Sequence, residues 1–334
     1  MKAWASKLAA TIKAACPALL FTLVWFGLLA SDSAAQYPDK PITLITPFAA
    51  GGSSDLTARV FTTYLSQYLG QPMLIKLVPG QAGQKGTLEA TQATPDGYTL
   101  IFNDNFRDQL HQYTFLNDYY DTLEDLVAVA RINYGQIAII VRSDGLYQTW
   151  ADLEADARAR PGQVLFSHSG LWAALFVPAQ QIMRALDLRF RMVPYRGGGP
   201  AKAALMAGDV SFSMAFPATI AADIEANTVR VLATAGTERT LEGVPSFVEI
   251  GLPPNAGYIH RIVLAPRGIP EDRLAVLRNA FADLQANEDY QAAMRQLGEN
   301  TAYLGGAEYE ADRIEHSLEF RDLVEAIAGT LRLQ

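Results

Sequence analysis

From Pro41 onward, short apolar runs alternate with amphipathic stretches, the pattern of strands alternating with helices. Residues 42–47 (ITLITP) predict a short apolar strand. Ala49-Ala50-Gly51-Gly52 breaks it, and Ser53, Ser54 and Asp55 are all good helix N-cap residues. Leu56, Val60, Tyr64, Leu65, Tyr68 and Leu69 then recur at helical spacing, so that face is expected to be buried, and Gly70 supplies the stop. Residues 73–78 read as a second strand, 87–93 as a helix, Pro95-Asp96-Gly97 as a turn and 98–102 as a third strand. This βαβαβ order implies a parallel sheet with helices on its faces.

The alternation continues. Residues 136–141 (QIAIIV) read as a strand and 150–159 as a helix ended by Arg160-Pro161-Gly162. A strand at 164–166 leads into the loop Ser167-His168-Ser169-Gly170 and a helix near Pro178. A strand at 189–195, a glycine loop at 196–200 and a helix at 201–206 follow. Strands at 210–215 and 229–235 bracket a helix at 218–226, and 258–265 reads as a return strand. Three helices (271–286, 288–297 and 307–327) close the chain. The fold expected is two α/β lobes, one from residues 36–141 with 257–334 and the other from 142–256. Two crossings, near Val141 and Gly257, would join them, with the terminal helices packed back on the first lobe.

The N-terminus changes the picture of where this fold operates. Lys2, Lys7 and Lys13 precede an apolar run over residues 14–30, and Ser33 and Ala35 occupy the small-residue positions of a cleavage site. That layout predicts a secretory signal peptide over residues 1–35, with Gln36 leading the exported chain; a membrane anchor is the other reading, since the apolar run is slightly long. Its removal takes away the single cysteine, Cys16, so no disulfide supports the fold and buried apolar area must. The whole chain carries −8; the removed segment holds three Lys and one Asp, leaving −10. Such a balance argues against nucleic acid as a partner, and means that an anion must be held by local groups.

Three loops could carry chemistry. In residues 47–55, a strand gives way to two glycines and a helix start. The first turn of a helix has about four N–H groups without intrahelical partners and roughly half a positive charge. Phe48, Ala50, Gly51, Gly52, Ser53, Ser54 and Asp55 therefore form a candidate seat for an anion, or merely a tight turn. The loop Ser167, His168, Ser169 and Gly170 is a second candidate, or an ordinary cap. Tyr195 and Arg196, before Gly197-Gly198-Gly199, form a third: Arg196 offers a donor fork, or is a solvated side chain. Asn103, just after the third strand, joins the candidate ligand set. Four scattered histidines show no metal spacing, and neither G-x-S-x-G nor G-x-G-x-x-G occurs. Asp104 with Asp108, and Asp118 with Asp121, sit in a polar stretch and are read as facing water. No cofactor, no metal and no catalysis are expected; a hydrolase is the reading least supported.

Several segments carry a family resemblance. Tyr37-Pro38-Asp39-Lys40-Pro41-Ile42, Pro47-Phe48-Ala49-Ala50-Gly51-Gly52-x-x-Asp55-x-x-Ala58-Arg59, Leu69-Gly70-Gln71-Pro72 and Pro95-Asp96-Gly97-Tyr98-Thr99-Leu100 resemble the Bug family. These are extracytoplasmic solute receptors of tripartite tricarboxylate transporters. Val193-Pro194-Tyr195-Arg196-Gly197, Gly208-Asp209-Val210 and Ala265-Pro266-x-Gly268-x-Pro270 extend the resemblance along nearly the whole exported chain. It implies a periplasmic, type II periplasmic-binding-protein-like Venus flytrap, a monomer that binds a small carboxylate and hands it to membrane permease subunits. A receptor presenting its ligand to a sensor kinase is the alternative. The resemblance also implies that residues 48–55 and 167–172 grip the ligand.

The departures from the family are specific. Trp172-Ala173 stands where a small pair is usual, and His260-Arg261-Ile262 replaces the usual Trp and Gly of the return strand. Trp172 could stack on a ligand or narrow the cleft, and His260 or Arg261 could pair with a carboxylate; compensating core changes are the other reading.

Overall fold

The computed structural model describes residues 37–114, 119–254 and 256–331; the expected signal peptide and Asp118 lie outside them. β1 (Ile42–Thr46) runs into α1 (Ser53–Leu69), β2 (Met73–Leu77), α2 (Gln84–Thr91) and β3 (Thr99–Asp104), the expected βαβαβ unit. β1 is almost wholly buried, because ITLIT offers branched apolar side chains to both faces of the sheet. α1 ends at Gly70, whose φ of +69° lets its N–H reach the Ser66 carbonyl at 2.9 Å. A π-helical turn, Phe106–Leu110, and a short α3 (Thr122–Asp125) lead to β4 (Leu126–Gln136).

After β5 (Ala138–Arg142) come α4 (Trp150–Ala159), β6 (Leu165–His168), α5 (Phe176–Ala185) and β7 (Arg191–Pro194). α6 (Gly198–Ala207), β8 (Phe212–Ala215), α7 (Ala221–Glu225) and β9 (Val229–Thr234) complete this half. The chain returns through β10 (Tyr258–Pro266) to α8 (Glu271–Leu284), α9 (Glu288–Gln296), β11 (Leu304–Gly305) and α10 (Gly306–Leu331).

Two sheets result, in the orders β11-β4-β10-β3-β1-β2 and β7-β6-β8-β5-β9. Each has a parallel trio flanked by one antiparallel strand from across the chain: β10 beside β3 in the first, β5 beside β8 in the second. The two α/β lobes are therefore present, but β5 pairs with β8 and β9. That corrects the assignment of residues up to 141 to the first lobe; the crossing lies at Ile137, because β4 and β5 are separate strands. The Ile137 N–H donates to the Gly257 carbonyl at 3.1 Å, so the two crossings lie side by side. Gly257 has φ +77°, and a Cβ there would stand 2.6 Å from Phe247 Cε2.

The buried face of α1 is also rotated from expectation. Ala58, Phe61, Leu65 and Leu69 are buried, whereas Leu56, Val60, Tyr64 and Tyr68 are only half-buried. Phe61 takes the deep position by packing on Phe102 and Phe281, with ring centroids 5.0 and 5.8 Å apart, so α8 covers α1. α10 is fixed by a buried fork: Arg313 Nε and Nη2 donate to the two oxygens of Asp108, each at 2.7 Å. Asp104 is buried too, against Arg107 at 2.5 Å, which corrects the reading of Asp104 and Asp108 as solvated. Asp121 caps α3 by accepting from the Leu123 N–H. Among the described residues, no helix is long and apolar enough to cross a membrane.

Candidate functional site

The start of α1 lies just beyond the carboxyl end of β1, the edge where open α/β sheets place ligands. Gly51 adopts φ +75°, with nothing within 4 Å of where a Cβ would stand. Its N–H donates to Asp55 Oδ2 at 2.8 Å, and Arg59 pairs with the other oxygen at 3.0 Å. Asp55 thus clamps the loop from within, a side chain acting on a backbone that glycine frees. The N–H groups of Ser53, Ser54 and Asp55 have no carbonyl partner among the described residues, and neither serine hydroxyl is hydrogen-bonded. Main-chain donors and hydroxyls are therefore left for an anion.

Phe48 leans on a cation that the sequence reading passed over. The Arg107 guanidinium lies 4.6 Å from the centroid of the Phe48 ring and is held by Asp104; its Nε is buried without a partner. Gly83 makes room for it, since a Cβ there would collide with Arg107 Nε. The Asp104-x-x-Arg107 spacing at a strand end was the available signal. Asn103 donates to Thr87 Oγ1 at 3.3 Å, and its Oδ1 is buried and unpartnered.

The second lobe contributes the β6–α5 loop. The Ser167 hydroxyl is committed to the interior, donating to the Ala201 carbonyl at 2.9 Å and lying 2.9 Å from Ser213 Oγ. Ser169 Oγ accepts from the Leu175 N–H at 3.3 Å. His168 Nδ1 is 3.0 Å from the Gly170 carbonyl; burial lowers its pKa, against that hydrogen bond. Gly170 has φ +115° and Trp172 φ +58°. Tyr195 joins this loop through its N–H to the His168 carbonyl at 2.9 Å, and Arg196 is exposed beside the start of α6.

Trp172 is one contact between the halves. Its indole is fully buried and packs in one cluster with Phe106, Leu110 and Ile259 of the first lobe and Val324 and Ile327 of α10. Its backbone hydrogen-bonds His111, whose pKa burial, with Arg107 nearby, lowers to about 3. α1 also touches the Pro217–Thr219 turn of the second lobe. In the first lobe Phe48 packs on Arg107 and residues 51–55 form one clamped loop; in the second, Ser167, Ser169, Gly170 and Tyr195 meet around the β6–α5 loop, with Arg196 exposed beside it.

His260 is not with them. Its ring packs against Tyr134 at 4.7 Å, His316 at 5.5 Å and Tyr309 at 6.1 Å. It lines a separate cavity of about 510 Å3, to which none of residues 48–55 or 167–172 contributes. Arg261 is fully buried, donating to Glu299 at 2.7 Å.

Comparison with known proteins bears on the family and the fold. The family model of the tripartite tricarboxylate transporter family receptor matches residues 57–316. Protein BugT of Bordetella pertussis is 29% identical over 256 residues, covering 76% of this chain and 78% of that protein. A solved periplasmic transporter is 28% identical with a TM-score of 0.81, over 86% of this chain and 97% of its own. MatC of Rhodopseudomonas palustris, solved with bound malate, is 24% identical with a TM-score of 0.78, over 86% of this chain and 100% of its own.

Proposed function

The chain belongs to the tripartite tricarboxylate transporter receptor family, and from that premise we propose that it captures a small organic carboxylate between its lobes for delivery to permease subunits. The family and fold are those of periplasmic binding receptors rather than of enzymes. The observation that carries the reading is the start of α1: unpaired N–H groups of Ser53, Ser54 and Asp55, a side-chain-free Gly51, and Arg107 behind Phe48. One carboxylate of the ligand sits there. Gly170, Ser169, Tyr195 and Arg196 face its other end from the second lobe, and Ser167 holds their loop in place. The ligand favours closure by its differential affinity for the shut arrangement. Export behind residues 1–35 places the receptor in the periplasm.

The test is a thermal-shift screen of the exported chain against mono- and dicarboxylates, with malate first because MatC shares the fold. A true ligand at a hundred times its dissociation constant stabilises by about 2.7 kcal/mol. Gly51→Leu is expected to remove that stabilisation while costing about 1–2 kcal/mol for a side chain at positive φ. Wild-type affinity in this variant would refute the seat.

A further inference from the structure

One hydrogen bond between the lobes is made by a titratable side chain. His111 opens a single turn, His111–Tyr113, directly after the π-helical turn of the first lobe, and its ring is buried. The backbone is fixed there, since the His111 carbonyl accepts from the Thr114 N–H at 3.1 Å and from the Thr114 hydroxyl at 2.8 Å. The ring donates to the Trp172 carbonyl of the second lobe. Nδ1 is buried without a partner, so the donor is Nε2 and the neutral ring keeps its lone pair on Nδ1. The acceptor belongs to the residue of the β6–α5 loop with φ +58°. The bond therefore orients a carbonyl whose own backbone conformation is unfavourable.

A second proton has no place in this arrangement. On Nδ1 it would make a buried donor without an acceptor and a positive charge near Arg107. The neighbouring carboxylates are taken: Asp104 by Arg107, Asp108 by Arg313 of α10, and Asp312 of α10 by Arg131 and His316, each at 3.7 Å. From the second lobe the same loop brings His168, whose charged form burial also disfavours. Among the described residues, Arg107 is the one charge that acts on the His111 ring. Part of the cover over this turn comes from across the cleft: Trp172, Ala174, Phe176 and Val177 pack in one cluster with Phe106 and Leu110. Separating the lobes strips that cover and returns the ring to water, where it takes the proton.

We propose that His111 is a positioning residue for the β6–α5 loop and a proton-sensitive latch between the lobes. Its neutral ring pins the Trp172 carbonyl while the lobes are shut, and protonation releases them. The shut arrangement is the one that refuses the proton, with a His111 pKa lowered to about 3 from an ordinary value near 6.5. The latch is therefore fully made above pH 6.5 and lost progressively as pH falls toward 3. Each pH unit below 6.5 raises the open-to-shut ratio by up to about tenfold. The latch acts on the lobes themselves, so it stands apart from the carboxylate seat at the start of α1.

The test is small-angle scattering of the ligand-free exported chain between pH 8 and pH 5, with far-ultraviolet circular dichroism following the helices. The wild-type radius should grow as pH falls, with the helices intact. Carbon-13 spectra of the histidine-labelled chain should show the His111 ring titrating over the same interval. His111→Gln keeps an N–H at the reach of Nε2 and cannot titrate, so it should be as compact at pH 5 as the wild type at pH 8. His111→Phe has neither donor nor titration, and should be wider than the wild type at pH 8 and unchanged at pH 5. A constant wild-type radius would overturn the latch, as would a glutamine variant that widens like the wild type. Loss of the helices before any widening would overturn it too.

Discussion

Replacing Trp172 tests whether one side chain wedges the lobes together while straining the loop that carries it. The indole is fully buried among Phe106, Leu110, Ile259, Val324 and Ile327, and the residue's φ is +58°. Emptying such a site costs roughly 3–5 kcal/mol for Trp→Ala. The indole Nε1–H is buried without a partner, so its removal gives back about 1–3 kcal/mol. Trp172→Ala should therefore lose about 2 kcal/mol. In the left-handed region any residue with a Cβ carries about 1–2 kcal/mol of strain that glycine avoids. At an ordinary core position glycine is instead the worse choice, by about 0.5–1 kcal/mol. The order should reverse here, with Trp172→Gly the more stable variant by up to about 1 kcal/mol. Urea denaturation followed by far-ultraviolet circular dichroism gives both values. Small-angle scattering reports whether the molecule widens, as it should if the cluster joins the lobes. An alanine variant at least as stable as the glycine variant would refute the strained loop. Wild-type stability and an unchanged radius in both would refute the wedge.

Two further outcomes follow from buried charge and buried imidazole. Arg313→Met leaves Asp108 buried and unpaired, and should cost about 3–5 kcal/mol in urea denaturation, with much of it recovered by adding Asp108→Leu. A loss under about 1 kcal/mol would mean that α10 is not anchored there. His111 and His260 both have pKa values lowered to about 3, by burial first and by neighbouring cations second, from an unfolded value near 6.5. Between those limits the unfolded chain binds protons that the folded chain refuses, so their contribution is present above pH 6.5 and lost as pH falls toward 3. Each ring should cost about 1.4 kcal/mol per pH unit well below 6.5. His260→Phe should remove one ring's share of the slope measured between pH 6 and 5, and an identical slope would count against its burial.

Sequence pattern located the parts whose causes are local. The break after β1 was legible because Gly51, Gly52 and the caps Ser53, Ser54 and Asp55 are consecutive, and the order of strands and helices followed from short-range periodicity. β4 was not read, since Arg131 and Asn133 interrupt its apolar run. Those polar side chains are tolerated in the sheet because Glu299 and Asp312, more than 160 positions away in the chain, reach them. Asp108 looked solvated for the same reason: Arg313, its partner, is 205 residues distant. The lobe boundary slipped by a few residues because QIAIIV shows that a strand exists, not which sheet pairs with it. Trp172 carried an ambiguous signal. A large aromatic after Ser-Gly is equally compatible with a ligand platform and a core residue until its φ and burial are known.

The sheet order explains why so few residues govern the relation between the lobes. Each parallel trio is completed by a strand that has just left the other sheet, β5 in one case and β10 in the other, so the chain passes directly from sheet to sheet at both crossings. There they bond to each other, Ile137 to Gly257, and Ala235 bonds to Ile137 at 2.7 Å. The proposed closure would turn on a few backbone angles about this pair, where Gly257 leaves no room for a side chain. The cluster around Trp172 joins the lobes, and the free energy of that packing belongs to the protein whatever occupies the proposed cleft. On the proposed reading, a carboxylate at the start of α1 would supply only the difference between the shut arrangement so supported and the open one. Weakening the cluster should therefore lower the apparent affinity by the fraction of molecules no longer shut, without touching any ligand-binding atom.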